Sequence, residues 1–416
     1  MNETTTCAII GGGPAGMVLG LLLARAGVEV TVLEKHADFL RDFRGDTVHP
    51  STLDLLDELG LGERFAALPQ SRIEKIAFDV EKERVVFGDF TRLRRLAHPY
   101  IAMVPQWDLL NLLAEAGRDE PAFTLRMRTE ATGLLHEQGR VAGVRYSGPD
   151  GDGELRADLT VACDGRWSMA RRTSGLPVRE LGVDFDAWWF KVPVEDSVLP
   201  SLTPRTGLGR IMVVIPREGY VQIAYLGRKG TDSDLRSRGI EAFRREVVTL
   251  APELADTIDQ VASMDDVKHL DVRLNRLRRW HTDGLLCIGD AAHAMSPLGG
   301  VGINLAVQDA VATARLLAGP LRRRRPTGRD LAAVRRRRGL PTVLVQGLQQ
   351  VLHRQIVGPI LQGRRPSPPK PLVALVRAVP RLSAVPAYLV GVGVRSERAP
   401  RFARRTPQAH RSSPAR

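Results

Sequence analysis

Gly11, Gly13 and Gly16 stand at the G-x-G-x-x-G spacing, and Glu34 follows Gly13 by 21 residues. The first glycine permits a tight turn, the second lets a pyrophosphate approach the backbone, and the third lets helix and strand pack closely. Pro14 and Ala15 lie within the turn and open a helix whose N-terminus offers free N–H groups and a positive dipole end to phosphates. Glu34, with Lys35 behind it, ends the apolar run 29–33. A carboxylate there accepts from both ribose hydroxyls of an adenosine. The pattern predicts an ADP-containing cofactor and leaves NAD and FAD open. The bland alternative is a glycine-rich strand-to-helix turn that binds nothing.

Two aspartates repeat the theme. Asp164 ends the apolar run 159–163, and Gly289-Asp290 ends 285–288. Doubly wound folds bind ligands at the carboxyl ends of their strands. Pro297, Gly300, Gly302, Ile303 and Asn304 then form a turn that opens a helix at about Ile303. Its positive dipole end suits an electron-rich group such as the N1–C2=O edge of a flavin, which becomes negative on reduction. His293 and His49 read as structural. Cys7, Cys163 and Cys287 are sparse, with no C-x-x-C, and read as buried reduced thiols in a cytoplasmic protein. No metal site is expected.

The elements that must hold these residues are legible in outline. A first helix runs from about Pro14 to Ala26 and stops at Gly27. Residues 50–60 read as a helix capped by Ser51 or Thr52, 106–117 as a helix, and 239–262 as another. Residues 73–95, 123–163 and 185–227 read as strands. The last hundred residues read as helical, with prolines, as far as Val394. The chain has 416 residues, 43% of them hydrophobic, enough for two domains or one domain with an insertion. Met1 to Thr6 are polar and run into the first strand, so no signal peptide is expected. No apolar run reaches the roughly 18 residues of a spanning helix. Nucleotide-domain features at both ends with a strand-rich block between predict an α/β fold. It has a discontinuous Rossmann-like cofactor domain, an inserted β-rich substrate domain and C-terminal helices. The expected boundaries are 1–72, 97–178 and 276–345 for the first, 73–96 and 179–275 for the second, 346–396 for the helices, and 397–416 for a disordered basic tail.

The net charge of +13 is local: residues 322–338 carry +8 and residues 397–416 carry +5. The rest of the chain is neutral. Solvated charge runs are therefore expected, with no specific nucleic-acid partner. Weak membrane-surface or polyanion contact through the arginine segments is the minority reading.

At the three motifs taken together, the chain resembles the class A flavoprotein monooxygenases, the family of p-hydroxybenzoate hydroxylase. The resemblance covers residues 5–395. It implies that the N-terminal glycine motif holds the ADP half of FAD, that Asp164-Gly165 serves both FAD and NAD(P)H, and that Asp290 binds the ribityl chain. Arg44, in the segment 41–50, and Gln106, in Val104-Pro105-Gln106-Trp107, match family positions that reach FAD. The family reduces bound FAD with transiently bound NAD(P)H, adds O₂ at C4a, and passes oxygen from the hydroperoxide to an electron-rich substrate. The resemblance thus implies hydroxylation or epoxidation of a small molecule, aromatic or polyketide-like. No residue is placed for covalent flavin attachment. No catalytic side chain is named. Trp189, Arg210, Gln222 and Tyr225 on the middle strands are substrate-pocket candidates, with Gln222 first and Tyr220 and Ala224 expected on its face. Val221 stands where relatives often carry an aromatic residue.

Two other functions remain open at this point. One is a reductase or oxidase of the same fold without oxygen insertion. The other is a basic binding protein whose FAD is structural or absent. The sequence sets neither the substrate, nor the nicotinamide preference, nor the oligomeric state.

Overall fold

The computed structural model describes residues 3–40, 47–80, 83–194, 203–207, 209–217, 219–323, 325–364 and 383–405. Five strands form a parallel array in the order Leu285–Cys287, Gly151–Ala162, Glu3–Ile10, Val30–Leu33, Phe123–Arg126. Strands covered on both faces by helices read as continuous apolar runs, and Cys7, Ala8, Ile9 and Ile10 are all buried here. His281–Thr282 closes one edge antiparallel, and the hairpin Glu130–Glu137 and Arg140–Gly148 extends from the long strand Gly151–Ala162. Helix Pro14–Arg25 packs into this core, and Gly27, with φ +74°, stops it. The fold is α/β with a Rossmann-like unit, as expected.

A second sheet is antiparallel, in the order Thr203–Gly207, Arg210–Pro216, Tyr220–Arg228, Phe185–Pro193, Lys268–Leu270. Alternation along these strands separates two cores. Val221, Ile223 and Tyr225 join Trp188, Phe190, Met212 and Val214 beneath the helix Gly239–Leu250. Ala224 and Leu226 join Phe185, Ala187 and Ile211, and that face packs on Met295 and Leu305 beyond Asp290. One face of the second sheet therefore looks toward the first sheet's motifs and the other looks away.

Several local expectations differ from the structure. Ser51 and Thr52 do not cap the helix Pro50–Glu58. His49 is the N-cap, and both hydroxyls donate to Asn304 Oδ1 instead, at 2.8 and 2.9 Å. The helix expected over 239–262 ends at Leu250, because Pro252 cannot continue the ladder, and short 3-10 turns follow. Of the arginines at 335–338 the first three are exposed, as a solvated run requires, and only the last turns inward. They lie within the helix Gly328–Leu352, opened by a Thr327–Asp330 capping box, and Arg338 is buried on its inward stripe with Leu331 and Val334.

The tail expectation is also corrected in its first part. Residues 397–405 pack onto the Rossmann-like unit, with Ala399 and Ala403 in its core. The fully buried Glu397 carboxylate accepts from Arg337 Nε at 2.5 Å and Nη2 at 2.9 Å. Arg25 donates to the Ala403 carbonyl at 2.9 Å. A segment with few apolar residues is ordered because its carbonyls and one carboxylate satisfy arginines that belong to the core. Residues 406–416 lie outside the described residues. Among the described residues no helix is long and apolar enough to cross a membrane.

Two predictions follow from these buried charges. Glu397→Ala should lower stability by about 1–3 kcal/mol, below the loss for a fully buried pair because the arginines are part exposed. An unchanged denaturant midpoint would show that this segment does not hold the fold. The second concerns His49, bound to the Gly300 carbonyl, and His353, bound to Ser296 Oγ. Burial pushes both from the ordinary 6.5 down to about 4. The unfolded chain then takes up their protons first, so stability falls as pH drops from 6.5 to 4. Each histidine contributes a slope of up to about 1.4 kcal/mol per pH unit. Acid unfolding of His353→Gln should show a shallower limb, and a limb identical to wild type would remove His353 from the account.

Candidate active site

The first turn leaves little choice of residue. Gly11 has φ +100°, and a Cβ there would lie 2.6 Å from the Cys163 carbonyl oxygen. A Cβ at Gly16 would lie 2.0 Å from the Gly11 carbonyl oxygen. At Gly13 a Cβ would meet nothing within 4 Å, so this side of the turn is open. Gly13 is also the N-cap of the helix and supplies no side-chain cap to it. Pro14 fills the first helical position, where the missing N–H is not needed. Glu34 is buried, and its carboxylate accepts from the Gly12 N–H at 2.8 Å and the His36 N–H at 3.0 Å. Two backbone N–H groups thus hold the carboxylate beside the open turn. This arrangement fits the ADP half of FAD. Lys35 follows Glu34 in sequence. Its side chain is well exposed, with the ammonium 4.0 Å from Glu130.

Strand order brings the other motifs alongside. Glu3–Ile10, Gly151–Ala162 and Leu285–Cys287 are adjacent and parallel, so Gly11, Asp164 and Gly289 emerge from one end of the sheet. Asp164 Oδ2 accepts from the Ala170 N–H at 3.2 Å. Its Oδ1 is buried with no hydrogen-bond partner among the described residues. Burial pushes the Asp164 carboxyl up from the ordinary carboxylate range. A buried acceptor left open beside the Gly11 turn is what a bound hydroxyl or N–H donor would complete. Asp290 is part exposed, with Oδ2 3.4 Å from Arg166 Nη2. The helix Gly302–Arg323 begins just beyond a turn closed by Gly300 N–H to Pro297 O, at 3.0 Å. Gly300 has φ +62°, and a Cβ there would strike Thr47 Oγ1 at 2.4 Å. Ile303 and Asn304 are buried in the first turn of that helix. Gln106, part buried, opens the helix Gln106–Arg118. Arg44 lies outside the described residues.

Asp309 is a buried charged residue behind the site that the sequence reading missed. It is fully buried, and its carboxylate accepts from the Gly289 N–H at 3.2 Å and Arg338 Nε at 2.9 Å. His293 Nε2 lies 2.5 Å away. Burial alone would raise its carboxyl, but His293 and Arg338 outweigh that and hold it below the usual range. His293 therefore belongs to a buried network behind Asp290. A lone acid inside the apolar helix 303–318 is the feature that could have marked Asp309.

The four pocket candidates divide between the faces of the second sheet. Gln222 is buried on the face of Ala224, with Trp189 opposite Ala224. Tyr225 lies on the other face, and Arg210 Nε donates to its hydroxyl at 3.0 Å and lies 3.5 Å from Glu246 Oε1. Arg210 and Tyr225 are thus corrected as pocket residues: strand alternation turns both away from the three motifs and toward the helix Gly239–Leu250. Lys191 and Arg217, which the sequence reading did not single out, instead accompany Gln222. Among the described residues no group of three His, Cys, Asp or Glu side chains is placed to hold a metal ion.

Comparison with known proteins bears on the same residues. The family described as an FAD binding domain matches residues 3–347. The chain is 36% identical over 391 residues to a 6-methylpretetramide 4-monooxygenase of Streptomyces rimosus, covering 92% of this chain and 90% of that one. It is 30% identical to a longer Streptomyces rimosus enzyme named 12-dehydrotetracycline 5-monooxygenase/anhydrotetracycline 6-monooxygenase, over 73% of this chain and 60% of that one. The fold is similar to the solved structure of the anhydrotetracycline hydroxylase OxyS from Streptomyces rimosus, with TM-score 0.75, 24% identity, and coverage of 95% of this chain and 77% of that one. The three nucleotide motifs and these matches share one chain and one frame, and the protein belongs to the FAD-binding family of class A, p-hydroxybenzoate hydroxylase-like monooxygenases.

Proposed function

We propose that this enzyme uses FAD, NAD(P)H and O₂ to hydroxylate or epoxidise a planar aromatic or polyketide-like small molecule. The observation that carries this reading is the similarity, over 92% of this chain and 90% of that one, to a 6-methylpretetramide 4-monooxygenase. Bound FAD supplies the redox and oxygen-activating chemistry. The chain's own residues bind it, orient it and exclude water. In this reading Glu34 accepts from the adenosine ribose, and the N–H groups after Gly13 receive the pyrophosphate. Asp164 and Asp290 face the remaining polar groups of the cofactor. The start of the helix Gly302–Arg323 presents its N–H groups to the flavin edge. FAD is held without a covalent bond, and NAD(P)H visits transiently.

The substrate enters against the Gln222 and Trp189 face of the antiparallel sheet. That face is walled by Met295 and Leu305 on the cofactor side. The apolar wall keeps water from the reacting centre. The three cysteines are free thiols, which supports a cytoplasmic setting. Arg338 is buried against Asp309 and Arg337 pairs with Glu397, so any polyanion contact through that run rests mainly on the exposed Arg335 and Arg336.

Two measurements test the proposal. Substrate-dependent NAD(P)H oxidation under ¹⁸O₂, with candidate polycyclic phenols, should give product heavier by one labelled oxygen atom. Oxidation with unlabelled product would favour a reductase or oxidase. Separately, Glu34→Ala should weaken FAD binding by roughly tenfold to a thousandfold, the loss of one or two charge-assisted hydrogen bonds. Normal FAD affinity in that variant would remove Glu34 as the ribose ligand.

A further inference from the structure

From Arg338 onward the helix Gly328–Leu352 buries its polar side and exposes its apolar one. Amphipathic helices turn apolar residues to the core, yet Leu340, Val343, Leu344, Leu348 and Val351 are exposed. Arg338, Thr342, Gln346 and Gln349 are buried, and His353 continues the same stripe just past the helix end. A buried amide costs free energy unless its groups are hydrogen-bonded. Where the stripe ends, the helical ladder widens into a π turn over His353–Val357, a form frequent at functional sites.

The stripe is matched to one irregular stretch, residues 294–298. Gln346 Nε2 donates to the Asn275 and Ala294 carbonyls at 2.8 and 3.2 Å, and Arg276 Nη1 donates to Gln346 Oε1 at 2.8 Å. Gln349 Nε2 donates to the Ser296 and Leu298 carbonyls, each at 2.9 Å, and Gln349 Oε1 accepts from the Ser296 N–H at 3.3 Å. His353 Nε2 lies 2.9 Å from Ser296 Oγ, which accepts from the Leu298 N–H at 3.2 Å. Asn275 Oδ1 accepts from the Ala294 N–H at 3.3 Å. The alternate residues Ala294, Ser296 and Leu298 thus have both backbone groups bonded to side chains, where a strand would bond them to its neighbour. The stretch follows the Asp290 turn and runs into the helix Gly302–Arg323 through the bond from Gly300 N–H to Pro297 O.

Resting on the reading above of how FAD is held, we propose that Gln349 and His353 are positioning residues for the cofactor. Through Ser296 and Leu298 they hold the start of the helix Gly302–Arg323 where its N–H groups favour the reduced flavin. The N1–C2=O edge becomes negative on reduction, and a helix N-terminus favours negative charge only within its first turn. Small displacements of that start therefore cost the reduced form more than the oxidised one. Both residues act through the loop backbone.

The test measures the midpoint potential of the FAD-loaded protein by anaerobic reduction against a reference dye, without substrate. Gln349→Leu keeps a similar volume and removes the amide. It should lower the affinity for reduced over oxidised FAD by roughly tenfold, a fall of about 30 mV for two electrons. His353→Leu should move the midpoint the same way. His353→Gln, whose amide can reach Ser296 as Nε2 does, should restore most of the wild-type value. Glu397→Ala, which loosens the same helix away from this loop, should leave the midpoint unchanged. If Gln349→Leu does not fold, the two His353 variants decide. An unmoved midpoint in Gln349→Leu or His353→Leu, no recovery in His353→Gln, or an equal fall in Glu397→Ala would overturn the positioning role. The measurement involves neither O₂ nor substrate, so failure here and failure of the monooxygenase reading give different results.

Discussion

A carboxylate with no exposure to water must be matched where it stands, or it costs several kcal/mol in desolvation. Asp309 meets that demand with three donors from two separate stretches: the Gly289 N–H and His293 in one turn, and Arg338 in a later helix. The match fixes the turn that carries Asp290 against the helix Gly302–Arg323, and fixes the helix Gly328–Leu352 against both. Arg338 also donates to the Arg395 carbonyl at 3.2 Å, and its neighbour Arg337 holds Glu397. Two buried carboxylates, Asp309 and Glu397, thus tie the C-terminal segment to this helix. The flavin-side turn, the longest helix and the end of the described chain are a single mechanical unit.

The motifs could be read from sequence because backbone geometry leaves few residues able to occupy them. Gly11 and Gly16 have no room for a Cβ, and Gly300 has none either. Glu34 was legible because a strand end at fixed distance from a glycine turn returns beside it, and the Gly12 N–H does meet its carboxylate. The parallel order of the strands then follows from the usual topology of such units. Where identity is forced by close approach, a single sequence is informative.

Charges were harder to read, for a different reason. A run such as Arg335–Arg338 says nothing locally about which member turns inward. Helical spacing does: Arg338 falls on the stripe of Leu331, Val334 and Thr342. The acids that draw the arginines in, Asp309 and Glu397, lie 29 and 60 residues from their partners. No window-based reading joins positions so far apart. Arg210 and Tyr225 failed for a related reason. Alternation tells which residues share a face, but only the packing of Val221 and Ile223 under a helix tells which face looks inward. Gln222 was placed with Ala224 by the same alternation.

The contacts at the start of the helix Gly302–Arg323 also bear on how this protein could be recombined. Thr47 Oγ1 and His49 Nε2 both meet the Gly300 carbonyl, at 2.7 and 3.0 Å, and Ser51 and Thr52 both donate to Asn304. Two stretches some 250 positions apart therefore behave as one inheritable cassette. Transplanting the 285–305 segment into a homologous scaffold without residues 47–52 would carry over the glycines and the aspartate but leave the helix start unmoored. A chimera that moves both stretches together carries the complete joint. The seam along which this fold can be cut runs through space rather than along the chain.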